Sequence, residues 1–167
     1  MPRALSFITL IALVLAPVTA SALSCRPWRV ADAADQAITS DATYLPVVGW
    51  LTFDETLLPV TNWDRQQDTP PLTRIPATFR GMGWNGTEIS TPIDREITLE
   101  VSCTGPWCGS AVSGVRAVAF LKKDGAAYSL QMGSCGGMAF WDDVAKNKAK
   151  VEGCLRHRGC NRQPPTR

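Results

Sequence analysis

The clearest fold signal in the sequence is Glu96-Ile97-Thr98-Leu99-Glu100-Val101-Ser102-Cys103, where apolar and polar residues alternate without a break. Alternation with a period of two places the apolar side chains on one face of a β-strand, which is typical of a strand with one buried side. We therefore predict a strand here, with other strands covering its apolar face.

The same pattern recurs along the chain. A hairpin is indicated by Lys123-Asp124-Gly125, a strong turn signal between two apolar runs. Pro46 predicts that its strand begins near an edge or has proline among its first residues. Loops are expected at 54–71 and 81–92, which are rich in Pro, Asn, Asp and Gly. Strands are predicted at 44–53, 72–79, 96–103, 115–122 and 127–132.

Two helices flank the strands. An Ala-rich stripe predicts a short helix over 29–39, and a second helix is predicted over 141–155. Asp142 and Asp143 are placed in the first turn of the second helix, with lysines following, the order that the helix dipole favours. The fold class is therefore mainly β (α+β): a small five-stranded antiparallel OB-like barrel, closed or half-closed, with one helix at each end of the chain.

Residues 1–22 have the features of a signal peptide: Arg3, an apolar run, and Ala20-Ser21-Ala22 as the cleavage pattern. The apolar run is shorter than the roughly 20 residues that span a bilayer. We predict periplasmic or secreted protein with one domain over 23–167 and a frayed, basic tail after Cys160. An uncleaved anchor and a lipoprotein acylated on Cys25 remain as alternatives.

All cysteines lie after the predicted cleavage point, and an even number in an exported chain favours disulfides. Three bridges allow fifteen pairings. Short loops are plausible for Cys103–Cys108 and Cys154–Cys160, which leaves Cys25 to reach Cys135. A long-range bridge of this kind would fasten the N-terminus to the core.

Cys25-Arg26-Pro27, the Ala-rich helix and a strand ending Gly49-Trp50-Leu51-Thr52-Phe53 resemble the start of netrin-like domains, which include the tissue inhibitors of metalloproteinases. The resemblance implies a short helix packed on an OB-type barrel, and a protease-inhibitor-like activity. In those inhibitors the mature chain begins with a cysteine that chelates zinc. Here the predicted cleavage leaves Leu23-Ser24 ahead of Cys25, which would block chelation.

The net charge of +2 is too small to indicate a nucleic-acid partner, and no cofactor is expected. Trp107-Cys108-Gly109 resembles a thioredoxin-like site, but the cysteine spacing favours a structural disulfide. Cys135, Cys154, His157 and Cys160 could be drawn as a zinc site, although oxidised thiols are favoured. His157 is the only histidine, so no catalytic relay is assembled.

The paired carboxylates have structural interpretations: Asp142-Asp143 as helix N-terminal charge, and Asp54-Glu55 as a turn. Gly81-Met82-Gly83 lacks the third glycine of a dinucleotide loop. The segment 146–162 is basic, with Glu152 as its only acid, which indicates a solvated face or a surface for an acidic partner or an anionic membrane.

Trp63 and Trp84 fall in the two predicted loops, and a loop tryptophan is typical of a binding surface. The alternative is that each folds back to cap the core. We predict a monomeric, non-enzymatic binding module with a protein partner. A structural envelope protein and a small hydrolase or redox enzyme are the alternatives.

Overall fold

The computed structural model describes residues 24–160; the predicted signal peptide and the tail beyond Cys160 lie outside the described residues. Two helices and five long strands follow in chain order: α1 (Val30–Thr39), β1 (Thr43–Phe53), β2 (Leu72–Trp84), β3 (Ile89–Thr104), β5 (Arg116–Asp124), β6 (Ala127–Gly133) and α2 (Val144–His157). Three short strands complete the list: β4 (Trp107–Cys108), β7 (Gly136–Gly137) and β8 (Ala139–Phe140). The mainly β class with two flanking helices is confirmed.

The five long strands form a closed ring. Strand β1 pairs antiparallel with β2 and with β5, β2 pairs antiparallel with β3, and β5 pairs antiparallel with β6. The ring closes through a parallel pairing of β3 with β6, in which Leu99 lies opposite Leu130. The expectation that all five strands pair antiparallel is therefore wrong at this one pairing. The alternation around Leu99 fits this arrangement, because Ile97, Leu99 and Val101 share one face of β3 and are buried inside the ring.

The core has two parts because the ring is buried on both faces along β1 and β5. Inside the ring, the alternating positions Leu51, Phe79 and Leu99 are fully buried. Outside it, Val48 and Phe120 have the opposite parity and are also buried, because α1 and α2 pack against this side. Within residues 24–160, neither helix has the length and apolar character needed to cross a membrane.

Pro46 lies where its strand has a single neighbour: it is opposite Phe120 of β5, and the pairing of β1 with β2 begins only at Val47. This confirms the position predicted for Pro46. Proline has no backbone N–H to donate, and here no second neighbouring strand requires that hydrogen bond.

The loop predicted over 81–92 is wrong. Strand β2 continues to Trp84 and β3 begins at Ile89, so only a short turn separates them. Gly81 serves close approach rather than a loop: a Cβ at this position would lie 2.2 Å from the backbone oxygen of Val48, and a Cβ at its partner Gly49 would lie 2.2 Å from that of Arg80. Because glycine has no side chain, the backbones of β1 and β2 can approach closely at Gly49 and Gly81.

We expect Gly81→Ala to lower the free energy of unfolding by about 2 kcal/mol or more, because a methyl group would collide with backbone that cannot move alone. Gly83→Ala is the matched control, since a Cβ there would meet the Leu45 side chain at 3.6 Å and the Thr91 backbone oxygen at 3.8 Å, both ordinary van der Waals distances. Urea denaturation of both variants tests this. Equal stability of the two would contradict the close approach at Gly81.

Helix α2 is fixed to the ring by a buried carboxylate. Glu152 is only 9% exposed and accepts hydrogen bonds from the Ile89 N–H at 2.7 Å and from the Lys148 ammonium at 2.6 Å. Burial acts to raise its pKa, but the Ile89 hydrogen bond and Lys148 outweigh burial, so the pKa lies below its usual value. The only acid of the basic segment therefore docks the helix, a role the sequence pattern did not show.

The start of α2 also differs from its prediction. The helix begins at Val144, so Asp142 and Asp143 precede its first turn. Asp143 is the N-cap residue, and its carboxylate accepts a hydrogen bond from the Lys146 N–H at 3.4 Å. Asp143 therefore places a negative charge at the helix N-terminus, as predicted, but it does so as the N-cap. Its carboxylate accepts a hydrogen bond from an N–H group that has no partner within the helix.

We expect Glu152→Gln to reduce the unfolding free energy at pH 7 by about 1 to 2 kcal/mol, because a charged acceptor is lost. Since the folded pKa is lowered, the carboxylate stabilises the fold above the unfolded pKa, and this contribution disappears as pH falls through the folded value. The difference in unfolding free energy between wild type and Glu152→Gln should therefore shrink as the pH is lowered. Glu88→Gln, at an exposed carboxylate, is the control. A gap independent of pH would refute the assignment.

Candidate functional site at one end of the ring

Two irregular segments meet at one end of the ring. The antiparallel pairings bring the end of β1, the start of β2, the end of β3 and the start of β5 to the same side. Residues 54–71 connect β1 to β2, and residues 105–115 lead from β3 to β5. We call the surface formed by these two segments the loop end. The loop predicted over 54–71 is confirmed, with two short 3-10 turns inside it.

The loop end carries several exposed apolar side chains. Val60 is 86% exposed and Trp63 is 60% exposed. Most of the large exposed apolar side chains of the described residues belong to these segments or border them: Leu57, Val60, Trp63, Leu72, Trp107, Val112 and Val115. Clustered apolar exposure is typical of an interaction site, whereas isolated exposed residues carry no such meaning.

Two tryptophans pack edge to face within this cluster. The ring centroids of Trp63 and Trp107 are 6.0 Å apart and the ring planes make an angle of 86°, a geometry that aromatic pairs favour. Trp107 lies in the tight hairpin that the Cys103–Cys108 disulfide closes. Trp63 follows Asn62, whose side-chain oxygen accepts a hydrogen bond from the Asp64 N–H at 2.9 Å. Both rings are therefore held by ordered turns.

The two segments are tied together at their base. The Glu55 carboxylate accepts a hydrogen bond from the Ser113 N–H at 2.7 Å, and the Ser113 hydroxyl donates to the Phe53 carbonyl at 2.9 Å. Asp54 accepts hydrogen bonds from the hydroxyl and the N–H of Thr56, which lower its pKa. The interpretation of Asp54-Glu55 as a turn is confirmed, and the turn also joins the two loops.

The N-terminus of the described chain lies at the same end. Cys25 is bonded to Cys135, and the hydroxyl of the preceding Ser134 is 3.1 Å from that of Thr104, the cross-strand partner of Trp107. The Trp28 indole N–H donates to the Gly137 carbonyl at 2.9 Å. The disulfide also occupies the Cys25 sulfur, the atom to which a lipoprotein would attach its lipid, and this argues against that alternative.

Of the two predicted site residues, Trp63 lies in an exposed loop and Trp84 does not. Trp84 is the last residue of β2, half-buried against the core, and lines a small cavity with Leu45 and Ile93. Strand β2 separates it from Trp63 by about 40 Å along the backbone. This position corresponds to the alternative in which the tryptophan caps the core. The structure thus does not bring the two tryptophans together.

Trp107 is the residue that sequence reasoning missed. In the sequence it stands out only as part of the Trp107-Cys108-Gly109 motif. A tryptophan inside a loop closed by cysteines five residues apart has little interior to fold into, and this signal could have identified it as exposed.

The cysteines of the predicted redox and zinc alternatives are all in disulfides. His157 is exposed in the last turn of α2. Cys154 is bonded to Cys160 and Cys135 to Cys25, so the zinc ligand set drawn from the sequence is not assembled. Across residues 24–160 there is no group of three or more His, Cys, Asp or Glu side chains arranged to hold a metal ion. All three expected disulfide pairings are present.

Comparison of the chain with protein-family models, with curated proteins and with solved structures finds no match.

The disulfides should differ in their contribution to stability. The Cys25–Cys135 bridge spans 110 residues and Cys103–Cys108 spans 5. Loop-closure entropy predicts losses of about 5 and about 2 kcal/mol when each is removed by a double Cys→Ser change. Chemical denaturation, with thiol titration of the native protein, is the measurement. The prediction fails if the short bridge contributes more, or if native protein shows free thiols.

Proposed function

We propose that the chain is an exported, disulfide-stabilised binding module whose partner is a protein, and that the loop end is its contact surface. The observation that carries this proposal is the exposed Trp63–Trp107 pair within a cluster of exposed apolar side chains. A tryptophan loses little conformational entropy on binding and buries a large area, and such residues dominate the binding energy of protein interfaces.

The way the loops are held supports the same proposal. A surface that is already ordered loses less entropy when it binds. The Glu55–Ser113 hydrogen bond joins the two segments, and the Cys103–Cys108 bridge closes the hairpin of Trp107. Binding loops on a rigid scaffold are a common functional arrangement. Binding through this surface requires no cofactor, metal or catalytic group.

We further propose that the ring is an OB-type barrel of the netrin-like layout. In support, the long strands follow the cyclic order β1-β2-β3-β6-β5 with a parallel closure, and one helix precedes and another follows them. The position of Cys25 beside the loop end supports a protease as the partner, because in the inhibitors of this family the N-terminal cysteine lies in the contact surface.

The form of inhibition differs from zinc chelation in this proposal. The expected mature N-terminus leaves Leu23-Ser24 ahead of Cys25, so its amine is not free. Contact through apolar side chains such as Trp63 and Trp107 would instead block access to the partner's cleft. Disulfides persist in oxidising compartments, which supports action in the periplasm or outside the cell. We propose that the chain acts there as a monomer.

The test uses mature protein, residues 23–167, immobilised and exposed to envelope and secreted extracts. The Trp63→Ala/Trp107→Ala variant should lose the partners that wild type captures, with affinity reduced about thirtyfold or more, since a hot-spot tryptophan contributes about 2 kcal/mol. Trp50→Ala is the matched control, because Trp50 is 48% exposed on a different surface. A captured protease whose activity falls with wild type but not with the double variant would support inhibition.

Two results would reject the loop end as the contact surface. One is equal capture of the same partners by wild type and the double variant. The other is loss of capture by Trp50→Ala to the same extent. Thermal unfolding of each variant is the control for folding. We expect each variant to melt near the wild-type temperature, because the substituted side chains are exposed.

A further inference from the structure

The charge of the described chain is divided between two regions. Residues 144–160, which form α2 and the turn after it, carry five lysines and arginines and one acid. Residues 24–143 carry nine lysines and arginines and fourteen acids. With His157 neutral, the first region has a net charge of +4 and the second a net charge of −5. The small total charge conceals this asymmetry, which is typical of proteins that bind an anionic surface.

Most of the positive charge of residues 144–160 is exposed and is not neutralised by a carboxylate. Lys148 is the exception, because its ammonium pairs with Glu152. The other four cations are exposed, and none of them forms an ion pair within residues 24–160. We call them the basic face: Lys146, Lys150, Arg156 and Arg158. Glu88 lies in the turn whose Thr87 carbonyl accepts a hydrogen bond from Arg156, and it is one acid against these four cations.

The basic face is open between its cations. Lys146, Lys150 and His157 lie on the same side of α2, because their spacings of four and seven residues match the helical period. Only small residues, Ala149 and Gly153, separate them on that side. A Cβ at Gly153 would meet no atom within 4 Å. The row from Lys146 to His157 is about 16 Å long, and no bulky side chain keeps a broad surface away from it.

The chemistry of this face favours a lipid surface over a protein partner. Protein interfaces depend on large apolar or aromatic anchors at their centre. The large exposed apolar side chains of residues 24–160 all lie outside α2. A face without such anchors gains binding energy from charge alone, and it therefore needs a partner with repeated negative charges. An anionic membrane provides them and attracts each nearby lysine or arginine.

We propose that the basic face of α2 binds the anionic lipid headgroups of a membrane as a peripheral contact, without insertion. An exported chain meets such headgroups on the membrane that it has crossed. Residues 24–143 are repelled by the same surface, so the charge asymmetry also orients the molecule.

The position of α2 leaves the loop end uncovered in this orientation. Glu152 and Arg156 contact Ile89 and Thr87, at the turn that joins β2 to β3. The loop end lies at the other end of β2, about 40 Å away along the strand. A molecule held through the basic face can therefore present Trp63 and Trp107 to another partner.

The experiment mixes mature protein, residues 23–167, with large unilamellar vesicles and measures the bound fraction by sedimentation. One set of vesicles contains phosphatidylcholine alone, and the other contains phosphatidylcholine with the anionic lipid phosphatidylglycerol. We expect binding to the anionic set only. Binding should be lost at about 1 M salt, where charges are screened beyond about 3 Å.

Lys146→Gln/Lys150→Gln should weaken binding to the anionic vesicles about twentyfold, because each lysine near an anionic surface contributes about a factor of five. Arg74→Gln/Arg80→Gln is the matched control: it removes the same charge from the outer face of β2, where each arginine is paired with an acid. This control should bind nearly as wild type does. Both pairs of side chains are exposed, so each variant should melt near the wild-type temperature.

The Trp63→Ala/Trp107→Ala variant tests whether the loop end contacts the membrane instead, and we expect it to bind vesicles as wild type does. Its loss of binding would overturn the proposal, as would equal binding to neutral vesicles or an equal loss in the arginine control. Retention by immobilised polyglutamate without binding to anionic vesicles would point to an acidic protein and would also reject it. None of these results except the first bears on the protein-binding proposal for the loop end.

Discussion

The ring depends on the close passage of two backbones at Gly49 and Gly81. These residues are opposite each other in β1 and β2, and a Cβ at either one would lie 2.2 Å from a backbone oxygen of the other strand, which is a steric overlap. A ring of only five strands must bend sharply, and glycine provides the bend without a steric cost.

A closed ring leaves its ends and its outer face for function. The helices cover the outside of β1 and β5, where Val48 and Phe120 are buried. The outside of β2 and β3 stays open, while the segments 54–71 and 105–115 form the loop end. The open outer face is a consequence of where the two helices pack, and the loop end is a consequence of how the strands are connected.

The attachment of α2 shows how polar groups fix where a helix packs on the ring. A basic helix on an otherwise apolar sheet needs a specific contact, and Glu152 supplies it by accepting the N–H of Ile89 at the start of β3. Lys148 neutralises the same carboxylate. The remaining lysines point outward, so the helix combines a docking face with a solvated one.

Local periodicity predicted both helices and the five long strands in their order, and cysteine spacing favoured the three observed disulfides among the fifteen possible pairings. The three short strands and the continuation of β2 to Trp84 were not predicted, because they depend on pairing with strands distant in sequence. The tertiary structure alone decided what Gly81 does, since local reasoning cannot distinguish a glycine in a turn from one in a strand crossing. The same limit separates Trp63 from Trp84: both follow turn-forming residues, but only strand pairing showed that one is exposed and the other ends a strand against the core. The loop end joins residues distant in sequence, so Trp107 became its partner only through the antiparallel register.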